Sequence, residues 1–205
     1  MARSTPEEEN SGAQIVDLDE RRFLLRHCQG DRAAFSQLVA QFRRPVFGYL
    51  VRCGVPTAAR DDLFQEIFLK VHGAAKRYQP DRPLKPWIFT IVANTVRSHY
   101  RKLRVRQLVM HEANPPDRAD GSPGSAAWAE ARETAAWLQQ EMACLPLAQR
   151  EVVSLCCVER MDQKAAADVL ELPLGTVKTH LHRARAALAR QLARRNAQSQ
   201  REVSS

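Results

Sequence analysis

A chain of 205 residues is long enough for one large domain or two small ones, and its 44% apolar share suits globular folding. No apolar run approaches the roughly 20 residues that span a bilayer, which argues against membrane insertion. The net charge of +8 is unevenly placed: residues 82–106 carry seven Lys or Arg and no acid, residues 178–195 carry six and no acid, and the remainder is net −5. A mildly acidic body with two basic patches points to a polyanion held at two places.

The five cysteines, Cys28, Cys53, Cys144, Cys156 and Cys157, are an odd, scattered set without C-x-x-C spacing. They suit a reducing cytosol and small core side chains, not a disulfide framework. The first ten residues lack an apolar signal core, so the chain reads as soluble and cytoplasmic.

Few aromatics and many Ala, Leu and Val lean helical. The expected architecture is all-α: two small helical domains joined by a flexible linker, the second containing a helix-turn-helix. Residues 1–18 read as a disordered polar tail. In the first domain, 19–106, Asp31 is placed to cap a helix bearing Ala34, Phe35, Leu38 and Phe42. Pro45 opens or kinks the next segment, and Gly54-Val55-Pro56 marks a turn. Asp61 and Asp62 then start a helix with Phe64, Ile67, Phe68 and Val71 at i, i+3, i+4, i+7 spacing, the acids at its positive end. Residues 78–83 form a loop. A further helix begins near Pro86 or Trp87 and buries Ile88, Ile91, Val92, Thr95 and Val96.

Residues 107–127, rich in Pro, Gly, Ser, Asn and Asp, read as the linker. The second domain is expected over 128–195, with helical signal already resuming near Ala126, an interruption at Pro146, and Val152, Leu155 and Cys156 on one face. Ala166, Val169 and Leu170 suggest a short helix. A turn leads from it to a basic helix with Val177, Leu181, Ala184, Leu188 and Leu192 on its apolar face. Two helices, a turn and a basic second helix make a helix-turn-helix able to enter a major groove. His180 and His182 sit two apart and face different ways, and no third ligand is suggested, so no metal is expected. Residues 196–205 read as a disordered tail.

Three motifs then resemble one family in its own order. Residues 62–71 (DLFQEIFLKV) look like the clamp-binding helix of the extracytoplasmic-function sigma factors, members of the sigma-70 family that give bacterial RNA polymerase its promoter specificity. Residues 84–94 (LKPWIFTIVAN) are similar to their second motif. Residues 145–150 with 175–185 (GTVKTHLHRAR) resemble their carboxy-terminal motif. The resemblance covers about Leu24 to Leu192. It departs from the family at Ser98, where many members carry Asp, at Ala165-Ala166, where a Glu-Ile pair is frequent, and at Glu171, the place of a turn glycine. A positive φ at Glu171 would cost roughly 1 kcal/mol. Asp162 could cap the helix before it, without a reciprocal Glu or Gln.

The resemblance implies an alternative sigma factor, active in a stress or signal response, that recognises the minus-ten and minus-thirty-five elements and assists DNA opening. Its implied partners are core RNA polymerase (clamp and flap), promoter DNA and an anti-sigma factor. Asp62, Gln65, Glu66 and Phe68 would meet the polymerase. Tyr78, Arg82, Trp87, Asn94, Arg97, Arg101 and Lys102 would hold the minus-ten element. Thr176, Lys178, Thr179, His182, Arg183 and Arg185 would meet the minus-thirty-five element, and the linker would run near the RNA exit path.

The chemistry of the residues agrees. Holding an unstacked base needs planar groups and amides beside cations, which Tyr78, Trp87, Asn94, Arg97, Arg101 and Lys102 offer. Trp87 reads first as core packing, Asn94 equally as a hydrogen bond within its helix, and Tyr78 is the better stacking candidate. In the basic helix Lys178 and Thr179 are placed for bases, and Thr176, Arg183 and Arg185 for the phosphate backbone. Three rivals stand beside this reading. A sigma-like decoy should lack the DNA-facing cations. A ligand-sensing repressor does not need the 62–71 helix. An enzyme is the weakest reading, since there is no phosphate-cradling glycine loop, no H-E-x-x-H and no G-x-S-x-G, and no cofactor is implied.

Overall fold

Asp31 accepts a hydrogen bond from the Ala34 N–H at 3.0 Å and is gripped by Arg26 at 2.6 Å, which fixes the start of the 21-residue helix that follows. The computed structural model describes residues 20–110 and 126–203 and contains no strand among them. Helix α1 covers residues 20–28. It is followed by α2 (Arg32–Arg52), α3 (Thr57–Ala74), a 3-10 turn (Ala75–Arg77) and α4 (Leu84–Met110). The second half holds α5 (Ala126–Ala143), α6 (Leu147–Val153), a π-helical turn (Ser154–Val158), α7 (Gln163–Leu170) and α8 (Leu174–Val203). The tail at 1–18 and most of the linker, 111–125, lie outside the described residues.

The first-half core is read directly off helical periodicity. Ala34, Leu38, Phe42, Val46, Tyr49 and Leu50 of α2 meet Leu63, Phe64, Ile67, Phe68 and Val71 of α3, and Leu84, Ile88, Phe89, Val92, Ala93 and Val96 of α4. Pro45 neither opens nor ends a helix. α2 runs through it because Phe42, Val46 and Tyr49 bury that turn, and their burial, at roughly 1.5–3 kcal/mol for a large apolar side chain, offsets the lost backbone hydrogen bond.

Several boundaries differ from expectation. α3 begins at Thr57, capped by Pro56, so Asp61 and Asp62 lie beyond its first turn, which contains no acid. The intervening Thr57-Ala-Ala-Arg stretch continues the helix well, and Pro56 itself supplies the stop. α4 begins at Leu84, with Pro86 in the turn where its missing N–H costs nothing. It extends to Met110, past the expected linker start at 107, and α5 already begins at Ala126. The expected disordered tail from 196 is helical to Val203, because Ala197, Gln198, Gln200, Arg201 and Glu202 are good helix formers and nothing between them breaks the turn.

In the second half Asp162 accepts from the Ala165 N–H at 2.7 Å and caps α7 without a reciprocal partner. α7 ends on Glu171 in the left-handed conformation, φ 53°. The Leu172 N–H reaches back to the Ala167 carbonyl at 3.0 Å and closes the helix end in the Schellman manner. The turn therefore keeps the geometry that usually asks for glycine. Val177, Leu181 and Ala184 of α8 are buried against Ala166, Val169 and Leu170 of α7, while Leu192 is 47% exposed.

The two halves are docked. α7 packs along α4, and α2 touches α5 and α6. The π turn matters here. Its Glu159 N–H bonds the Ser154 carbonyl at 2.9 Å, and this extra residue per turn brings Glu159 round toward α2 and α4, alongside Glu151 and Ser154.

Candidate nucleic-acid interface

The basic face of α8 is assembled first by its apolar face. With Val177, Leu181 and Ala184 turned inward, Lys178, Thr179, His182, Arg183 and Arg185 must point outward, and all five are exposed. Thr176 is half-buried, its N–H bonded to the Pro173 carbonyl at 2.9 Å. The Thr179 hydroxyl donates to the Gly175 carbonyl at 2.9 Å, so toward DNA it presents acceptor lone pairs and a methyl group. Arg185 lies 3.6 Å from the Cys157 sulfur. The outward residues lie in the first three turns of α8, where a recognition helix offers side chains to base edges. An open hollow of about 500 Å³ separates this face from the start of α7. Among the described residues no group of three or more His, Cys, Asp or Glu could hold a metal ion, and no helix is long and apolar enough to cross a membrane.

On α3, Asp62 and Gln65 are exposed and Glu66 is half-buried. Glu66 pairs with Lys70 at 2.7 Å, and this bond holds its carboxyl below the usual range. Lys70 also donates to Thr95 at 3.1 Å, tying α3 to α4. Phe68, expected at the polymerase surface, turns inward instead: it is 5% exposed and packs on Phe64 and Phe35. Its place on the surface is taken by Leu69, 71% exposed and one turn from Gln65 and Glu66. Phe68 cannot serve both the buried stripe of Phe64, Ile67, Phe68 and Val71 and the polymerase surface, and Leu69 is the apolar residue that the same spacing leaves off the stripe.

The expected minus-ten residues divide into three groups. Tyr78 is buried, donates its hydroxyl to the Arg82 carbonyl at 2.5 Å, and packs on Trp87 with ring centroids 5.1 Å apart. The ring favoured for stacking is thus covered by its neighbour, and Trp87 is half-buried against the core. Arg82, Arg101 and Lys102 are exposed. Arg97 and Asn94 face the second half. Arg97 donates to Glu151 at 3.1 Å, and Asn94 to Glu171 at 3.3 Å.

A network that no motif announced surrounds these two. Glu151, 2% exposed, accepts from Arg97 and from the Tyr49 hydroxyl at 3.3 Å. Burial lifts its carboxyl above the ordinary range despite the Arg97 guanidinium, and lifts the Tyr49 hydroxyl and the Cys53 thiol well above theirs. Arg52 donates to Ser154 at 3.2 Å and to Glu159 at 2.8 Å, and Lys85 meets Glu159 at 3.1 Å. The Tyr100 hydroxyl donates to the Cys53 carbonyl at 2.9 Å. In the sequence these residues are ordinary Glu, Arg and Ser in helices, and only the docking of the halves brings them together.

Family comparison agrees with this layout. A family model for Sigma-70 region 2 matches residues 38–106, and one for Sigma-70, region 4 matches residues 135–188. The RNA polymerase sigma factor CnrH of Cupriavidus metallidurans is 32% identical over 176 residues, 83% of this chain and 92% of its own length. The ECF RNA polymerase sigma factor SigM of Mycobacterium tuberculosis is 30% identical over 173 residues, 84% of each chain. The solved structure of CnrH in complex with the cytosolic domain of CnrY superposes with a TM-score of 0.63 at 28% identity, covering 85% of this chain and 97% of that one.

Proposed function

This chain belongs to the sigma-70 family, in its extracytoplasmic-function group, and on that premise we propose how its two halves share the work of promoter recognition. As a sigma factor it is a transcription initiation factor that directs core RNA polymerase to particular promoters. α3 supplies the polymerase contact through Asp62, Gln65 and Glu66, with Leu69 as the apolar anchor that Phe68 cannot be. The helix-turn-helix reads the minus-thirty-five element through Lys178 and Thr179, positioned on phosphates by Thr176, Arg183 and Arg185, with His182 beside them. α4 and the loop before it hold the minus-ten strand through Arg82, Asn94, Arg97, Arg101 and Lys102, with Trp87 and Tyr78 forming the floor. Catalysis of RNA synthesis belongs to the polymerase, and this chain contributes binding and DNA opening in the cytoplasm. CnrH is found in complex with the cytosolic domain of CnrY, and a partner of the anti-sigma class is proposed for this chain as well.

The observation that carries the reading is the outward set on α8, five polar or cationic side chains presented by a buried apolar stripe in a half that matches region 4. Transcription from a promoter library with core polymerase, with and without this chain, tests it. Start sites that depend on the added chain are expected, and their absence would sink the assignment.

A further inference from the structure

Among the described residues two other than glycine hold a positive φ, Glu171 at 53° and Arg160 at 56°. The Glu171 side chain is used within the chain, where it accepts from Asn94 at 3.3 Å. The Arg160 side chain is exposed and makes no hydrogen bond or ion pair with a described residue. Glycine would close the same turn at less cost, because it has no Cβ to crowd the carbonyl. Strain that no contact inside the chain offsets points to a use outside it. The neighbours of Arg160 indicate which use. Asp162, Gln163 and Lys164, just after it, line the open hollow of about 500 Å³ from the α7 side, and Lys178 and Arg185 line it from α8. Lys164, Lys178 and Arg185 are exposed. The one carboxylate among the lining residues, Asp162, is turned to the Ala165 N–H at 2.7 Å. The opening thus carries three cations, and the segment leading into it carries a fourth.

We propose that Arg160 is a phosphate-binding residue of the helix-turn-helix, which with Lys164 grips the DNA backbone beside the hollow while Lys178 and Arg185 approach from α8. This role rests on the reading that the outward face of α8 meets the minus-thirty-five element, since DNA held by Lys178 lies over the hollow that Lys178 lines. A planar guanidinium offers two parallel N–H donors to phosphate oxygens, which glycine at the same turn could not. Phosphate contacts carry no base information but fix register and orientation. Arg160 therefore sets how α8 sits in the groove, and the retained strain is the cost in stability of that grip.

The test sets stability against binding in the full chain. Denaturant unfolding of the chain alone reads the first. Fluorescence anisotropy of the chain in complex with core polymerase reads the second, on a labelled duplex carrying a start site recovered from the promoter library and on a shuffled duplex, across a range of salt. Arg160→Gly is expected to raise the denaturant midpoint and to weaken binding about tenfold. The loss should be equal on the two duplexes, and the log–log salt slope should fall by about 1. Arg160→Lys keeps a cation and the strained turn, so it is expected to recover most of the binding and none of the stability. A lower midpoint in Arg160→Gly makes the arginine a structural residue and overturns the proposal. A loss confined to the promoter duplex makes it a base contact and overturns it too. Unchanged binding and slope in Arg160→Gly, with Lys178→Ala still weakening the promoter complex, overturns the phosphate contact and leaves the reading of α8 standing. Unchanged binding in both variants overturns that reading and the role of Arg160 with it.

Discussion

Glu171 shows what a single residue costs and keeps. Its φ of 53° is a conformation in which a Cβ crowds the following carbonyl. The turn between α7 and α8 holds it there through the Leu172 to Ala167 hydrogen bond and the half-buried Leu172 side chain. Glu171→Gly should raise the stability of the second half by about 1 kcal/mol, read as a higher denaturant midpoint at unchanged slope. A lower midpoint would mean that the exposed bond to Asn94 outweighs the strain. At the DNA-facing end, Lys178→Ala should weaken binding to a cognate promoter by about 1–3 kcal/mol and relax the base preference at one position. An equal loss on random duplex would move Lys178 to the phosphate-binding set. Cys53 carries a different lesson. Its thiol is buried and pushed far up, so it is held unreactive, and redox chemistry at this chain would have to start elsewhere.

Among elements, the amphipathic stripes of α2, α3 and α8 were legible in the sequence because each repeats at helical period. Asp31 caps α2 and Asp162 caps α7 through their side chains, while α3 starts after Pro56 without a side-chain cap, four residues earlier than the acids suggested. The π turn at Ser154–Val158 was not legible, since no residue type encodes one extra residue per turn. It decides where Glu159 points. The neighbouring Glu151 makes the docking of helices depend on pH. It faces Arg97, Tyr49, Arg150 and Cys53, and burial raises its pKa above the model-peptide value of 4.5. The docked state therefore holds that proton more tightly than separated halves do. The contribution from Glu151 is complete below about pH 4.5 and is lost as pH rises through the raised value. Scattering of the wild-type chain should show tighter docking as pH falls from 7 through that window. Glu151→Gln should flatten the dependence, because the amide mimics the neutral acid. A Gln variant that keeps the full dependence would assign it to another group.

For the whole molecule, two basic surfaces on one chain imply counterion release at two places. Binding of duplex promoter DNA should fall steeply with salt, and Arg183→Ala should lower the log–log slope by about 1. A flat response would remove α8 as the contact surface. The salt that weakens DNA binding also weakens the Arg52–Glu159 and Lys85–Glu159 pairs, which are only partly screened because Glu159 is buried.

Sequence alone determined the all-α class, the two-part order, the Asp31 and Asp162 caps and the outward cations of α8. Each of these is local: a period, a terminator or a motif within one helix or its turn. Tertiary structure alone decided that Tyr78 is covered by Trp87, and that Glu151 and Glu159 close on Arg97, Arg52 and Lys85. The ion pairs depend on which helix faces which across gaps of 54 to 107 residues, and pairing at such separation is set by the docking of whole surfaces, which no local pattern records.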